Sequence, residues 1–238
     1  TGGDTLLFPV EATKKEDDGE TVSLIIYSLK DTNNWGMSKE ISADGCGDPS
    51  VVEWKYTKLI VMTACDDGRC RVYESGDVGE SLTEALGTHS CVWGNPKARM
   101  KRVASGLTAA NIEDRDVMLV TLPVYSKPPK GREDNEQGII RLWLTDNTHV
   151  VDIGSVSEEE EDAAASSLLC KSTGSGDDKK EELIALYGRK KGGEKTSFSM
   201  VFVCLTRQLE RVKEVLTTWK EVHGGVSNLC LSLRANEG

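Results

Sequence analysis

The stretch Glu74-Ser75-Gly76-Asp77-Val78-Gly79-Glu80-Ser81-Leu82 leaves the strand-like run Cys70 to Glu74 and leads toward the next. Its residues describe a self-capped turn. Ser75 and Asp77 are short side chains that accept nearby backbone N–H groups, and Gly79 permits a left-handed residue. Leu82 is then an apolar plug over the end of the sheet. A related stretch, Tyr27-Ser28-Leu29-Lys30-Asp31-Thr32-Asn33-Asn34-Trp35, also leaves a strand, and Ser28 and Ser75 stand 47 residues apart. A fainter echo, Leu144-Thr145-Asp146-Asn147, follows the strand that contains Trp143. Repetition near this spacing matches one four-stranded blade and predicts a propeller or solenoid of short strands.

The surrounding chain fits that reading. Apolar residues make up 38% and aromatic ones 5%, with 23 glycines among 238 residues, which favours many strands joined by turns over a helical bundle. Strands are expected at Val22–Ser28, Lys58–Thr63, Cys70–Glu74, Val117–Pro123, Ile139–Leu144, Ser167–Lys171, Glu182–Tyr187 and Phe198–Leu205. The charged or low-complexity stretches Lys14–Glu20, Glu158–Asp162 and Ser172–Lys180 are expected to be solvated loops. One helix is expected over Thr206–His223, where Leu209, Val212, Val215, Leu216 and Trp219 recur at helical spacing. Thr206 is its expected N-cap and Gly224-Gly225 its stop.

Charge and cysteine content exclude several functions. The 29 Lys and Arg against 39 Asp and Glu give a net charge of −10, which argues against nucleic-acid binding. No apolar run approaches the length of a bilayer span, and no basic-then-apolar leader opens the sequence. The seven cysteines (46, 65, 70, 91, 170, 204 and 230) show no Cys-x-x-Cys pair or zinc spacing, and His89, His149 and His223 are scattered, so no metal or cofactor is expected. Cys65 and Cys70 flank the turn Asp66-Asp67-Gly68-Arg69, where two free thiols or a hairpin disulfide both fit. Two basic stretches, Lys97–Arg102 and Arg189–Lys191, read as loop tips, with a heparin-like contact as the alternative.

The turns resemble the Asp box, Ser-x-Asp-x-Gly-x-Thr-Trp, of sialidase propellers. Ser75, Asp77, Gly79 and Ser81 fit it, with Leu82 in the Trp place; Ser28 and Trp35 fit in the first copy, where Lys30, Thr32 and Asn34 depart from it. Longer strings narrow the likeness: Gly45-Cys46-Gly47-Asp48-Pro49 with Glu53-Trp54, Arg71–Ser75, Val92-Trp93-Gly94, Leu142–Asn147 and Val212–Lys220 are similar to the trypanosome trans-sialidase family of surface proteins. The resemblance implies an all-β fold, the middle and late blades of a six-bladed propeller with one C-terminal helix. Residues 1–205 would be partial propeller, and 206–238 the helix and the start of a linker to a lectin-like domain not present in this stretch. It also implies an extracellular, cell-surface location, with any membrane attachment through an anchor outside the chain.

Active members of that family use a Tyr nucleophile assisted by Glu, an Asp acid/base and three arginines that grip the sialic acid carboxylate. A Tyr–Glu pair attacks an anionic sugar with less repulsion than a bare carboxylate, and Arg forks hold a carboxylate bidentately. Carried across, the assisting Glu falls on Asp48, the second arginine on Ala64, the third on Gln137 and the nucleophile on Ala165. Arg132 lies near the third arginine position in the loop Tyr125–Gly138; the first arginine and the acid/base would precede Thr1. No catalytic residue is therefore expected to remain. Losing a nucleophile costs orders of magnitude in rate. The expectation is an inactive member that binds host cell-surface or matrix glycoproteins or glycans in adhesion, invasion or immune evasion. The alternatives are an active exo-α-sialidase or trans-sialidase, and a fragment without function of its own.

Overall fold

The computed structural model describes residues 5–15, 19–28, 34–39, 42–55, 58–77, 79–85, 103–126, 137–159, 161–174, 179–191 and 197–235. Among the described residues, fourteen strands form four antiparallel meanders in chain order. The first contains β1 (Leu6–Thr13), β2 (Thr21–Ser28) and β3 (Trp35–Met37). The second contains β4 (Cys46–Trp54), β5 (Lys58–Cys65), β6 (Cys70–Ser75) and β7 (Thr83–Glu84). The third contains β8 (Gly106–Ile112), β9 (Arg115–Ser126), β10 (Gln137–Thr145) and β11 (Val150–Ser155). The fourth contains β12 (Asp162–Thr173), β13 (Lys180–Lys191) and β14 (Ser197–Cys204), followed by α1 (Thr206–Ala235). The leading strands meet in sequence, β1 with β4, β4 with β8, and β8 with β12, so the sheets succeed one another as the blades of a propeller arc.

Side-chain alternation explains how the blades stack. In β5, Leu59 and Val61 point toward the first blade and join Ile25, Tyr27 and Tyr73, while Ile60 and Met62 point toward the third and join Met118, Val120 and Leu122. Likewise, Val117 and Leu119 of β9 and Leu142 of β10 face the fourth blade, where Leu183 and Tyr187 complete the largest core. A central strand covered on both faces therefore reads as a continuous apolar run, as Leu59–Met62 does.

Close approaches between strands of neighbouring blades need small residues. A Cβ on Gly106 would lie 2.4 Å from Thr121 Oγ1 and 2.9 Å from the Leu168 nitrogen, and one on Gly138 would lie 2.4 Å from the Ala163 carbonyl oxygen.

Several expectations are corrected. The Gly224-Gly225 pair does not stop α1, which runs to Ala235; no proline follows, and neither glycine has anything close to where a Cβ would stand. The first helical bond runs from Leu209 N–H to the Leu205 carbonyl (2.9 Å), so Leu205 holds the cap position instead of Thr206. Cys65 forms a disulfide with Cys46, its direct cross-strand partner, and neither hairpin reading for Cys65 and Cys70 holds; Cys70 faces Ala64 and remains a buried thiol pushed up to about 12 by burial. Glu161 and Asp162 are not simply solvated, and Arg189 lies within β13, not at a loop tip. Trp35 is half exposed, because its register opposite Ser28 places it against Phe8 on the open face of the first blade. Lys97–Arg102, Arg132, Cys91 and His89 fall outside the described residues.

Candidate functional site

The second turn closes on itself. Ser75 Oγ donates to Asp77 Oδ1 (2.7 Å) and accepts from Gly79 N–H (2.9 Å); Asp77 accepts the Ser81 N–H (3.0 Å) and the Ser81 hydroxyl. The Ser81 hydroxyl, then its amide, then the Ser75 hydroxyl hold the Asp77 carboxyl down at about 2. Gly79 sits at φ +93°, and Leu82 packs beside Ile25, Tyr27 and Leu59. The echo at 145–149 works similarly: Asn147 N–H donates to Thr145 Oγ1 (3.0 Å), and Asp146 Oδ1 accepts from Thr148 (3.0 Å) and His149 (2.8 Å) amides. These turns hold the blades and touch none of the four positions singled out for chemistry.

Two of those four positions, Asp48 and Ala165, lie on the leading strands β4 and β12, and the other two lie on β5 and β10. Asp48 occupies a bulge of β4 at φ +47°, and its N–H donates to Glu11 Oε2 (3.0 Å). Ala64 lies across from Gly47 on β5. Ala165 occupies a bulge of β12 at φ +50°, exposed, between buried Ala163 and buried Ser166. Gln137 opens β10, and its Nε2 donates to the Glu159 carbonyl (3.3 Å).

A chain of hydroxyls links the bulges. Ser50 Oγ donates to the Ser105 carbonyl (2.7 Å), Gly106 N–H donates to Thr121 Oγ1 (3.2 Å), and Thr121 Oγ1 lies 2.8 Å from Ser166 Oγ. A left-handed alanine costs about 1–2 kcal/mol, so the fold imposes this bulge against the residue's preference.

The chemistry at these positions is sparse. Beside Ala64, a cavity of about 10 Å³ lined by Cys65, Arg69, Cys70, Val103 and Leu122 has room for no more than a water. Several guanidiniums are already answered by carboxylates: Arg71 by Asp67 (3.4 Å) and Glu84 (3.6 Å), Arg141 by Asp152 (2.7 Å), and Arg189 by Glu161.

One cluster has no signature in the sequence. Tyr187 OH donates to Glu161 Oε2 (2.8 Å), Arg189 Nη1 donates to Glu161 Oε1, and Arg189 Nε donates to Ser199 Oγ (3.0 Å). It joins a tyrosine, a glutamate and an arginine one strand from Ala165, since Ser166 pairs with Tyr187. Burial and the Glu161 carboxylate push the Tyr187 phenol up, keeping it protonated. Tyr187 is 3% exposed and packed in the core, so this triad braces two strands. Its members are 26 and 28 residues apart, and only the register of β12 and β13 reveals it.

Blades of three- and four-stranded meander and side-chain-capped turns define a repeat-built propeller protein. The model of the BNR repeat-like domain matches residues 1–188. A sialidase of Trypanosoma cruzi is 38% identical over 90% of this chain and 17% of its own length, and T. cruzi sialidase 85-1.1 is 32% identical over 91% of this chain and 27% of its own. The Trypanosoma rangeli sialidase complexed with sialic acid superposes with a TM-score of 0.74 at 36% identity, covering 91% of this chain and 32% of that one. The chain belongs to the trypanosomal sialidase/trans-sialidase family. It spans about a third or less of the length of these relatives.

Proposed function

We propose that this protein is a catalytically inactive sialidase-family surface glycoprotein that binds host cell-surface or matrix glycans and proteins in adhesion, invasion or immune evasion. The observation that carries it is the pair of methyl groups at Ala64 and Ala165, where the family resemblance calls for a guanidinium and a phenol. Asp48 keeps a carboxylate in the third place, but its shorter side chain sets the oxygen back, and small misplacements are expensive in rate. Tyr187, on the strand paired with β12, is buried and engaged with Glu161.

In the same reading, 206–238 is the helix and the beginning of a linker toward a lectin-like domain, and the location is the extracellular face of the cell. The Cys46–Cys65 disulfide supports that location, because disulfides persist in oxidising compartments. The partners follow from the T. rangeli enzyme, which was solved with sialic acid bound.

The test is turnover of a fluorogenic sialoside, with a matched lactose acceptor to detect transfer. No release and no transfer are expected. Turnover abolished by Asp48→Ala would instead establish the second reading, an exo-α-sialidase or trans-sialidase, which the identity to named sialidases favours.

A further inference from the structure

His149 and His223 lie 74 residues apart, yet the fold brings their rings to a centroid separation of 5.5 Å with planes inclined by 66°. They meet where α1 crosses the turn between β10 and β11. His149 is held by Asp146 and Trp219, and Arg115 backs the indole. The His149 Nδ1 lies 3.1 and 3.2 Å from the two oxygens of Asp146, its ring packs on Trp219 at 5.1 Å, and the Arg115 guanidinium sits over the same indole at 5.2 Å. His223 follows Trp219 by four residues, one turn further along the same side of α1.

Each feature has a consequence for ligation. A carboxylate on Nδ1 selects the tautomer with its proton there and leaves the Nε2 lone pair available, the arrangement that metal-binding histidines use. Two imidazoles on one tetrahedral ion, with metal–nitrogen bonds of about 2.1 Å, have ring centres roughly 5 Å apart. The observed spacing is close to that. The His149 side chain is 41% exposed and His223 is exposed, so an ion reaches them from solvent. The Asp146 side chain is 6% exposed and already committed to Arg115, Thr148 and His149, so it serves as the outer partner and not as a ligand.

We propose that His149 and His223 together bind a divalent transition metal of the nickel–zinc type, with Asp146 orienting His149 and water filling the remaining positions. Among the described residues no group of three His, Cys, Asp or Glu side chains is placed to hold a metal, so the ion is exchangeable, unlike a structural four-ligand zinc. Occupancy ties the fifth turn of α1 to the third blade. This site is independent of the sialidase reading.

The test is titration of Ni2+ into the full chain at neutral pH, followed through the assigned imidazole resonances. The His149 and His223 signals are expected to broaden together and saturate below about 1 mM. His149→Gln and His223→Gln are each expected to weaken binding at least about tenfold, since one imidazole alone is a poor site. Circular dichroism of His223→Gln, an exposed position, checks that the fold is kept. Absence of saturation, broadening of one histidine without the other, or an affinity unmoved by either substitution overturns the proposal.

Discussion

Ala165 sits left-handed and exposed, where a methyl group gains no packing and the backbone is strained. Ala165→Gly is therefore expected to raise stability by about 0.5–1 kcal/mol, the relief of strain exceeding the added chain entropy. Ala163→Gly, at a fully buried strand position two residues earlier, is expected to lower it. Urea midpoints of the two variants give the comparison, and a stability loss at 165 equal to that at 163 would remove the claim of strain.

Asp146 supplies a second residue-level prediction. Burial pushes its carboxyl up, but the His149 and Thr148 amides, the His149 ring and Arg115 outweigh it and hold it at about 2. Because the folded value lies below the ordinary 3.8, the stabilisation is complete above that pH and lost as pH falls toward 2. Unfolding free energies at pH 5 and pH 3 are expected to differ less in Asp146→Asn than in the parent. An unchanged slope would show that the carboxylate gains nothing on folding.

At the scale of elements, α1 is anchored by its first half. Val212 and Leu216 are buried against Ile112, Leu144 and Leu183, Gln208 Nε2 donates to the Ser155 carbonyl (2.7 Å), and Lys213 reaches Glu181 (2.6 Å). Leu216→Ala is expected to cost about 2–4 kcal/mol in a chemical denaturation experiment. Val222→Ala, at an exposed position a turn and a half later, is expected to change the midpoint little. The disulfide ties β4 to β5 beside Asp48, and replacing Cys46 and Cys65 by alanine is expected to cost about 2–4 kcal/mol, matched by adding a reductant to the parent.

The elements legible in the sequence are β2, β5, β6, β9, β10, β12, β13 and β14. Covered on one or both faces, they carry runs of Val, Ile, Leu and Tyr. The leading strands β1, β4 and β8 escape such reading for one reason. Packed close to their neighbours, they use Pro9, Gly47, Pro49, Gly106, Ala109 and Ala110, residues of low strand propensity. Asp48 and Ala165 were findable only through motif resemblance, and the strain they share belongs to bulges that no spacing announces. The His149–His223 and Tyr187–Glu161 contacts cross between elements, so they need the register and the helix placement.

Across the whole molecule, the arc ends in two apolar sheet faces. Leu6, Phe8, Trp35 and Met37 are exposed on the first blade, and Leu169, Leu186, Phe198, Met200 and Phe202 on the fourth. These faces carry the same kind of residues as those buried where the inner blades meet, and grouped exposed apolar residues mark surfaces that associate. Residues 1–238 alone are expected to bind a hydrophobic dye and to self-associate in light scattering, and Phe198→Ser with Phe202→Ser to reduce both. A monodisperse parent with no dye response would contradict this. The close strand approaches at Gly106 and Gly138 carry a different lesson. A side chain larger than hydrogen at Gly106 or Gly138 collides with backbone, whereas 64 and 165 each hold a methyl without disturbing the scaffold. Selection on foldedness thus polices the glycines far more strictly than the two alanine positions, where a methyl costs folding no more than the left-handed strain at 165, about 1–2 kcal/mol.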